Sequence, residues 1–408
     1  MLTDDQKTII KQTVPVLQAD GEALTRHFYE RMFRVNPEVQ DYFNPAHQRS
    51  GTQQRALAGA ILAYAQHIDD PSVLGDAVEL IAQKHASLTI RPEHYPIVGD
   101  NLLASIREVL GDAATDDVID AWGAAYSVLA QIFIVRETQI YSEQERVYGW
   151  QGFKTFIVDR REKSSDNITS LYLKRADGQR LAAHAPGQYI SIRATLANGK
   201  AVMRNYSLSN PPGSDYFRIS VKREPAPAAD APNGIFSNYL HDHIKVGDHV
   251  ELSPPCGEFT LEPPSDENKA LVLIAGGVGV TPLISMLHSA LGQSKATRPV
   301  IFIQGALNGA VQAFSDELQA LKNDYPNLRT HLRYSTPRDV DRSARRHDSE
   351  GIIDDALLDE MVGARDADYY FCGPGPMLEH VYALLHRRGI PEQNMHYEFF
   401  GPSGALAA

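Results

Sequence analysis

From the first residues to about position 145 the apolar positions recur at three- and four-residue spacings, with few alternating β-branched runs. The pattern breaks at Asn36-Pro37, Asn44-Pro45, Asp70-Pro71 and Arg91-Pro92. Such spacing lays a stripe along a helix of 3.6 residues per turn, so this segment predicts an all-α domain. The texture changes near Gly149-Trp150-Gln151-Gly152. Short runs of strand type follow, at Phe153–Val158, Ile168–Leu173, Gln188–Ile192, Tyr216–Val221 and His249–Leu252, parted by Gly and Pro turns. They predict a small antiparallel β-barrel. After the Pro- and acid-rich stretch Glu262–Asn268, apolar strands alternate with helical patterns, at Ala270–Ala275, Pro299–Gln304, Thr330–Tyr334 and Tyr369–Cys372. That alternation predicts a parallel α/β sheet. The expected domains are 1–145, 151–265 and 266–408, with Pro225–Pro232 as an exposed loop.

A chain of 408 residues suits two or three domains. With 43% hydrophobic and 22% charged residues it has the balance of a soluble globular protein. The excess of 51 Asp+Glu over 39 Lys+Arg gives a net charge of -12, which disfavours a nucleic-acid partner. No long uninterrupted apolar run and no signal-peptide pattern is seen at MLTDDQKTIIKQ, so a cytoplasmic protein without stable membrane insertion is expected. Two cysteines, Cys256 and Cys372, make neither a disulfide framework nor a multi-cysteine metal site. Redox chemistry must then come from a cofactor.

Two polar residues occupy positions in the helical segment where a hydrophobe would pack, and a third could reach the same place. His85 lies on the stripe Leu74, Val78, Ile81, His85, Leu88, and Glu137 lies between Phe133 and Ile140. Tyr95 follows in the Pro-rich corner Arg91–Pro96. A buried imidazole needs a partner at each nitrogen; a metal at one and a hydrogen bond at the other is one solution, and a core histidine bonded to a carbonyl is another. A buried carboxylate needs a partner as well. A second polar pair faces an apolar pocket, Gln53 heading the stripe Gln53, Leu57, Ile61, Tyr64, and Tyr29 following Phe28.

With Phe43 at a corner, residues 1–145 resemble a globin, and the set Tyr29, Gln53, Lys84-His85, Tyr95, Glu137 resembles that of the bacterial and fungal flavohemoglobins. The resemblance implies heme b with His85 as the proximal iron ligand and Tyr29 and Gln53 on the distal side. Tyr95 and Glu137 would bond to the imidazole and push electron density onto the iron, favouring oxygen activation over storage.

Further on, Pro186-Gly187-Gln188-Tyr189 and Arg204-Asn205-Tyr206-Ser207 resemble the flavin domain of ferredoxin-reductase-type proteins, with Gly234-Ile235-Phe236-Ser237 before a helical turn as a second phosphate contact. Arginine suits a pyrophosphate and tyrosine an isoalloxazine ring, and Ser207 could reach its N5 edge. FAD is the implied cofactor, held by Tyr189, Arg204, Asn205, Tyr206, Ser207, Gly234 and Ser237. The strand Ala270–Ala275 runs into Gly276-Gly277-Val278-Gly279-Val280-Thr281-Pro282, a tight turn whose helix start could bind a pyrophosphate, with Thr281 as its cap and Pro282 at its first position. Cys372-Gly373-Pro374 and the closing Glu398-Phe399-Phe400-Gly401-Pro402 match the same reductases, where the first lies beside the nicotinamide and the second covers the flavin. The resemblance also implies that Lys84 and Glu398 meet and, with Tyr29, tune the redox groups.

The implied reaction passes electrons from NAD(P)H through FAD to heme, where oxygen and nitric oxide become nitrate. Two other readings stay open: an alkyl or lipid hydroperoxide reductase, and an oxygen-binding globin with its own reductase. Gln304–Asn308 shows neither a ribose-binding acid nor an arginine for a 2′-phosphate, so NADH and NADPH are not separated, although the family favours NADH. The expected partners are these small molecules. A monomer is expected, and the heme pocket could also take a lipid.

Overall fold

The structure is a computed structural model that describes residues 2–196, 199–226, 233–263, 266, 268–293 and 298–401. The chain forms two compact units. The first runs to Phe153 and takes in two short segments, around Ala194–Met203 and at Gly401; the second holds the rest.

The first unit consists of α1 (Asp4–Val35), α2 (Pro45–Arg49), α3 (Thr52–Gln66), α4 (Gly75–Ser87), α5 (His94–Leu110) and α6 (Asp116–Tyr148), with short 3₁₀ turns between some of them. The Pro breaks act as helix starts. Pro37, Pro45 and Pro71 each stand in the first turn of a helix or 3₁₀ turn, where a missing N–H costs nothing. Asn44 and Asp70 cap the starts they precede, accepting from the amides of Ala46 and Ser72. Helix α1 packs on α3, α5 and α6, and α4 packs on α6. The core gathers Ile10, Phe28, Met32, Tyr64, Ile106 and Trp122. By length and composition α6 could cross a membrane. Its Trp122, Phe133 and Glu137 are buried against the other helices.

After the helices come β1 (Lys154–Lys163), β2 (Ile168–Arg175), β3 (Tyr189–Thr195), β4 (Ala201–Ser207), β5 (Phe217–Lys222), α7 (Ile235–Asp242) and β6 (His249–Leu252), all in the second unit but for the end of β3 and the start of β4. The sheet order β4-β3-β6-β1-β2-β5 is closed by a bridge between Leu208 and Ile219. The remainder comprises β7 (Ala270–Gly276), α8 (Val280–Gln293), β8 (Val300–Ala306), α9 (Ser315–Asp324), β9 (Leu328–Tyr334), α10 (Asp339–Ser343), β10 (Ser349–Glu350), α11 (Asp355–Met361), β11 (Ala367–Cys372), α12 (Gly375–Arg387) and β12 (Met395–Glu398). Its parallel sheet has the order β10-β9-β8-β7-β11-β12. β7 is buried at every position, which accounts for its uninterrupted apolar run.

The reading of apolar runs leaves out β4, β10 and β12. β10 is two residues long and β12 four, both at sheet edges, where a strand buries too little to show an apolar run. β4 carries Arg204 and Asn205 in its middle.

Inside the second unit the barrel and the parallel sheet are tied by buried polar groups. Arg218 of β5 makes a bidentate pair with Glu317 of α9, with contacts of 2.8 and 3.0 Å, and His184 Nε2 lies 3.1 Å from the Ser285 hydroxyl of α8. Burial drives His184 down to about 4, so it is neutral in the fold at neutral pH. An unfolded histidine takes a proton near pH 6.5 and the folded one resists until about 4, so this group removes stability as pH falls through that window. The expected loss reaches about 3 kcal/mol. In His184→Gln the difference in unfolding free energy between pH 7 and pH 4 should shrink by that amount, read from denaturant curves. An unchanged difference would count against the buried neutral imidazole.

Candidate functional site

His85 stands in the last turn of α4, and its Nδ1 lies 2.8 Å from Glu137 Oε1 and 3.2 Å from the Tyr95 hydroxyl. Tyr95 also donates to the same carboxylate oxygen at 2.5 Å. Glu137 is 1% exposed, and its Oε2 has no hydrogen-bond partner among the described residues. A carboxylate oxygen accepts, so Nδ1 is the donor to Glu137, and Nε2 is the ring nitrogen turned to another partner. Among the described residues no hydrogen bond to Nε2 is found. That is the form of imidazole that binds a metal. Burial, and then the Glu137 carboxylate, hold the Tyr95 phenol well above its usual range, so it stays a donor.

Two residues absent from the sequence reading hold this triad. Tyr126 of α6 donates to the Tyr95 carbonyl at 2.6 Å, and its ring lies where a side chain at Gly99 would be, 2.6 Å from the Cβ position. A glycine inside α5, four residues after Tyr95, was the available signal. Tyr29 of α1 is buried, with the rings of Phe28, Phe33 and Phe43 around it and Gln53 of α3 as a polar neighbour. Burial pushes the Tyr29 phenol up to about 12, so it too is a donor at neutral pH. Lys84 Nζ donates to the Gly401 carbonyl at 3.2 Å.

In the barrel Arg204, Asn205, Tyr206 and Ser207 end β4, and Tyr189 begins β3. Asn205 Oδ1 accepts from the Ser191 hydroxyl at 2.9 Å. The Tyr206 ring stacks on Phe236 of α7 with centroids 6.4 Å apart, so the two flavin motifs meet although 30 residues separate them in the chain. Gly234 caps α7 without a side chain; a Cβ there would come 2.8 Å from Glu224 and from Ser237. The Ser237 hydroxyl is tied to the Glu224 amide at 3.2 Å and donates to the Gly234 carbonyl. Tyr189 lies over Gly257, whose φ is +110.

In the parallel sheet Gly277–Gly279 forms one 3₁₀ turn between β7 and α8. Two of the expected roles change here. Thr281 donates to the Val278 carbonyl at 3.0 Å instead of capping the helix, and Pro282 is the third helical residue, because α8 already begins at Val280. β11 is the neighbour of β7, so the turn meets Cys372-Gly373: a Cβ at Gly279 would be 2.2 Å from the Cys372 carbonyl oxygen. Successive connections leave β7 and β11 in opposite directions across the sheet, and the crevice at such a point is where parallel sheets bind nucleotides. Cys372 is fully buried, and burial pushes its thiol well above the usual range, which suits a wall of the site and excludes a nucleophile. Glu398 pairs in register with Cys372 on β12. Phe399 is half-buried and Phe400 exposed; Pro402 lies outside the described residues.

Three family descriptions match in the same order: globin over residues 26–133, oxidoreductase FAD-binding domain over 155–261 and oxidoreductase NAD-binding domain over 273–382. A flavohemoprotein of Rhodopirellula baltica is 48% identical over 409 residues, covering 100% of both chains. One from Halalkalibacterium halodurans is 46% identical, covering 100% of this chain and 98% of its own. The chain belongs to the flavohemoprotein family. A flavohemoglobin from Malassezia yamatoensis with bound FAD and heme superposes with a TM-score of 0.84 at 28% identity, covering 98% of this chain and 100% of its own. A flavohem-like FAD/NAD-binding domain of nitric oxide dioxygenase from Vibrio cholerae has a TM-score of 0.54 at 31% identity, over 61% of this chain and 99% of its own.

As a flavohemoprotein the chain is an oxidoreductase that uses heme, FAD and NAD(P)H. The residues present fit these groups. For heme, the fit is His85, whose Nδ1 is held by Glu137 and Tyr95 while its Nε2 has no hydrogen bond among the described residues. For FAD, it is the Arg204 guanidinium together with the side-chain-free start of α7 at Gly234. The nucleotide is matched by the Gly277–Gly279 turn, where a Cβ at Gly277 would point into open space.

Proposed function

We propose that the chain is a nitric oxide dioxygenase. Two molecules of nitric oxide and two of oxygen take the electron pair of one NAD(P)H and leave as two nitrates, with NAD(P)⁺ and a proton. When bound, heme supplies the iron at which the gases react, FAD divides an electron pair into single electrons, and NAD(P)H supplies the hydride.

The observation that carries this reading is the His85–Glu137–Tyr95 triad. Glu137 draws the Nδ1 proton toward itself, which makes Nε2 a stronger electron donor, and such a donor favours oxygen activation over storage. Tyr29 and Gln53 offer donors in an otherwise apolar pocket, where a hydrogen bond to developing negative charge is worth more than in water. Arg204 and the α7 start orient the flavin's phosphates, and the β7–α8 turn orients those of the nucleotide. The nitric oxide dioxygenase from Vibrio cholerae, similar over the reductase half, supports the choice of nitric oxide.

The same reading puts the chain in the cytoplasm as a monomer, admits lipid to the apolar heme pocket, and divides it functionally at 1–145, 151–265 and 266–408. The test is anaerobic reduction by NADH followed by a pulse of oxygen and nitric oxide, scoring nitrate per NADH. Two nitrates per NADH are expected. NADH oxidation that nitric oxide does not accelerate, or faster turnover with an alkyl hydroperoxide, overturns the assignment.

A further inference from the structure

One buried polar cluster in the second unit touches both of the segments that fit FAD and the nucleotide. β4, which carries Arg204–Ser207, runs on into Leu208, Ser209 and Asn210, and the turn Gly277–Gly279 runs on into α8. Ser209 lies two residues past Ser207. Its carbonyl and hydroxyl both accept from the Arg218 guanidinium, and the same guanidinium makes the bidentate pair with Glu317. Glu317 Oε1 in turn lies 2.5 Å from His288 Nε2 of α8. One residue further along, the Asn210 carbonyl accepts from the Ser285 hydroxyl of α8 at 2.9 Å. Ser285 stands five residues after Val280, about 8 Å along the helix. Ser209, Asn210, Arg218 and Ser285 are each no more than 6% exposed. The flavin segment and the start of the nucleotide helix are therefore joined by short, buried connections.

A contact that only had to hold two surfaces together would not need charge. A buried ion pair gives up the hydration of both partners, and apolar side chains of similar size often stabilise as well. Charged, hydrogen-bonded groups add direction. The guanidinium presents its N–H groups in a rigid fork, and here two bonds go to Ser209 and two to Glu317. The backbone supports the same arrangement. Phe314, at the N-cap of α9, has a φ of +63, a conformation that bulky residues rarely adopt. Its ring centroid lies 4.9 Å from the Arg218 guanidinium carbon, and Glu317 follows in the first turn of the helix it opens. The strained residue thus fixes both the seat of Arg218 and the direction of its partner.

We propose that Glu317 is a positioning residue for hydride transfer. Through Arg218 and His288 it holds Arg204–Ser207 and the Gly277–Gly279 turn in one relative placement. That placement sets the reach over which hydride, with its electron pair, leaves NAD(P)H for FAD, giving NAD(P)⁺ and reduced flavin. The inference concerns the reductase half and does not rest on the nitric oxide reading. The test is anaerobic stopped-flow reduction of the flavin by NADH in the full-length protein carrying heme and FAD. Glu317→Gln keeps the shape of the side chain and removes its charge. The limiting rate at saturating NADH should fall about tenfold, within what an ångström of misplacement causes, while the NADH concentration giving half that rate and the FAD content stay as in the wild type. The long-wavelength charge-transfer absorbance of nicotinamide stacked on flavin should weaken with it, which a purely structural role would not bring about in the folded, FAD-loaded protein. A wild-type limiting rate and absorbance in FAD-loaded Glu317→Gln overturn the proposal. Dithionite needs no bound nucleotide and should reduce the flavin of the variant at the wild-type rate; equal slowing with dithionite also overturns the proposal, because the damage then lies in the flavin seat. If Glu317→Gln loses FAD or does not fold, Arg218→Met combined with Glu317→Leu replaces it, since an apolar pair avoids leaving one buried charge unpaired. The double variant should show the same slowing, and a wild-type limiting rate in it overturns the proposal.

Discussion

Replacing His85 with alanine should strip heme from the protein and abolish its oxygen- and nitric-oxide-dependent turnover, while NADH-driven reduction of an artificial acceptor continues at the wild-type rate. The reason lies in the surroundings of His85 on α4: Glu137 and Tyr95 hold its Nδ1, which leaves Nε2 as the ring nitrogen able to ligate iron. Alanine removes the ligand and takes one hydrogen bond from a carboxylate that is 1% exposed. Glu137 keeps Tyr95 as a partner, so the first unit should lose about 1–3 kcal/mol of stability and still fold. Heme absorbance per mole of protein and acceptor reduction, measured on one preparation, check both halves. Full heme content in His85→Ala would overturn the ligand assignment. Loss of acceptor reduction would show that the damage had spread beyond the heme site.

Gly279→Ala should give the opposite split. A Cβ at Gly279 meets the Cys372 carbonyl oxygen at 2.2 Å, its carbon at 2.3 Å and the Gly373 nitrogen at 2.6 Å. All three are backbone atoms at the end of β11 or of the residue after it, so no side chain can swing aside, and overpacking of this kind costs about 1–3 kcal/mol. The turn and the start of α8 must move away from β11. Anaerobic stopped-flow reduction of the flavin by NADH should slow by about 100-fold, equivalent to about 2.7 kcal/mol, with heme and FAD content unchanged. Gly292→Ala, near the other end of α8, is the control, because its Cβ would meet nothing within 4 Å and its backbone is not in the positive-φ region. Equal rates in the two variants would show that the contact with Cys372 does not set the nucleotide site.

The two variants divide the site along the same line as the sequence reading. His85 and Glu137 were legible because each interrupts an apolar stripe, and a polar group on a buried face must find a partner. The turn after β7 was legible because an apolar run that ends in Gly276-Gly277 gives way to residues whose backbone can turn tightly. Gly99 was a hint, a glycine inside a helix, but its partner Tyr126 was not legible: their roles come from one ring filling the space of one absent side chain across two helices. The displaced roles of Thr281 and Pro282 have a similar origin, since one 3₁₀ turn shifts the helix start and the sequence motif alone does not reveal it.

By itself the sequence determined the three textures of the chain, the residue types able to hold heme, flavin and nucleotide, and their order, because periodicity and backbone permissiveness are properties of neighbouring residues. Only the tertiary structure decided which oxygen of Glu137 receives both His85 and Tyr95, that Tyr206 lies against Phe236, and that Gly279 abuts Cys372. Those contacts join positions 30 to 93 residues apart. Packing at that separation depends on how whole helices and strands fit together, which local spacing does not encode.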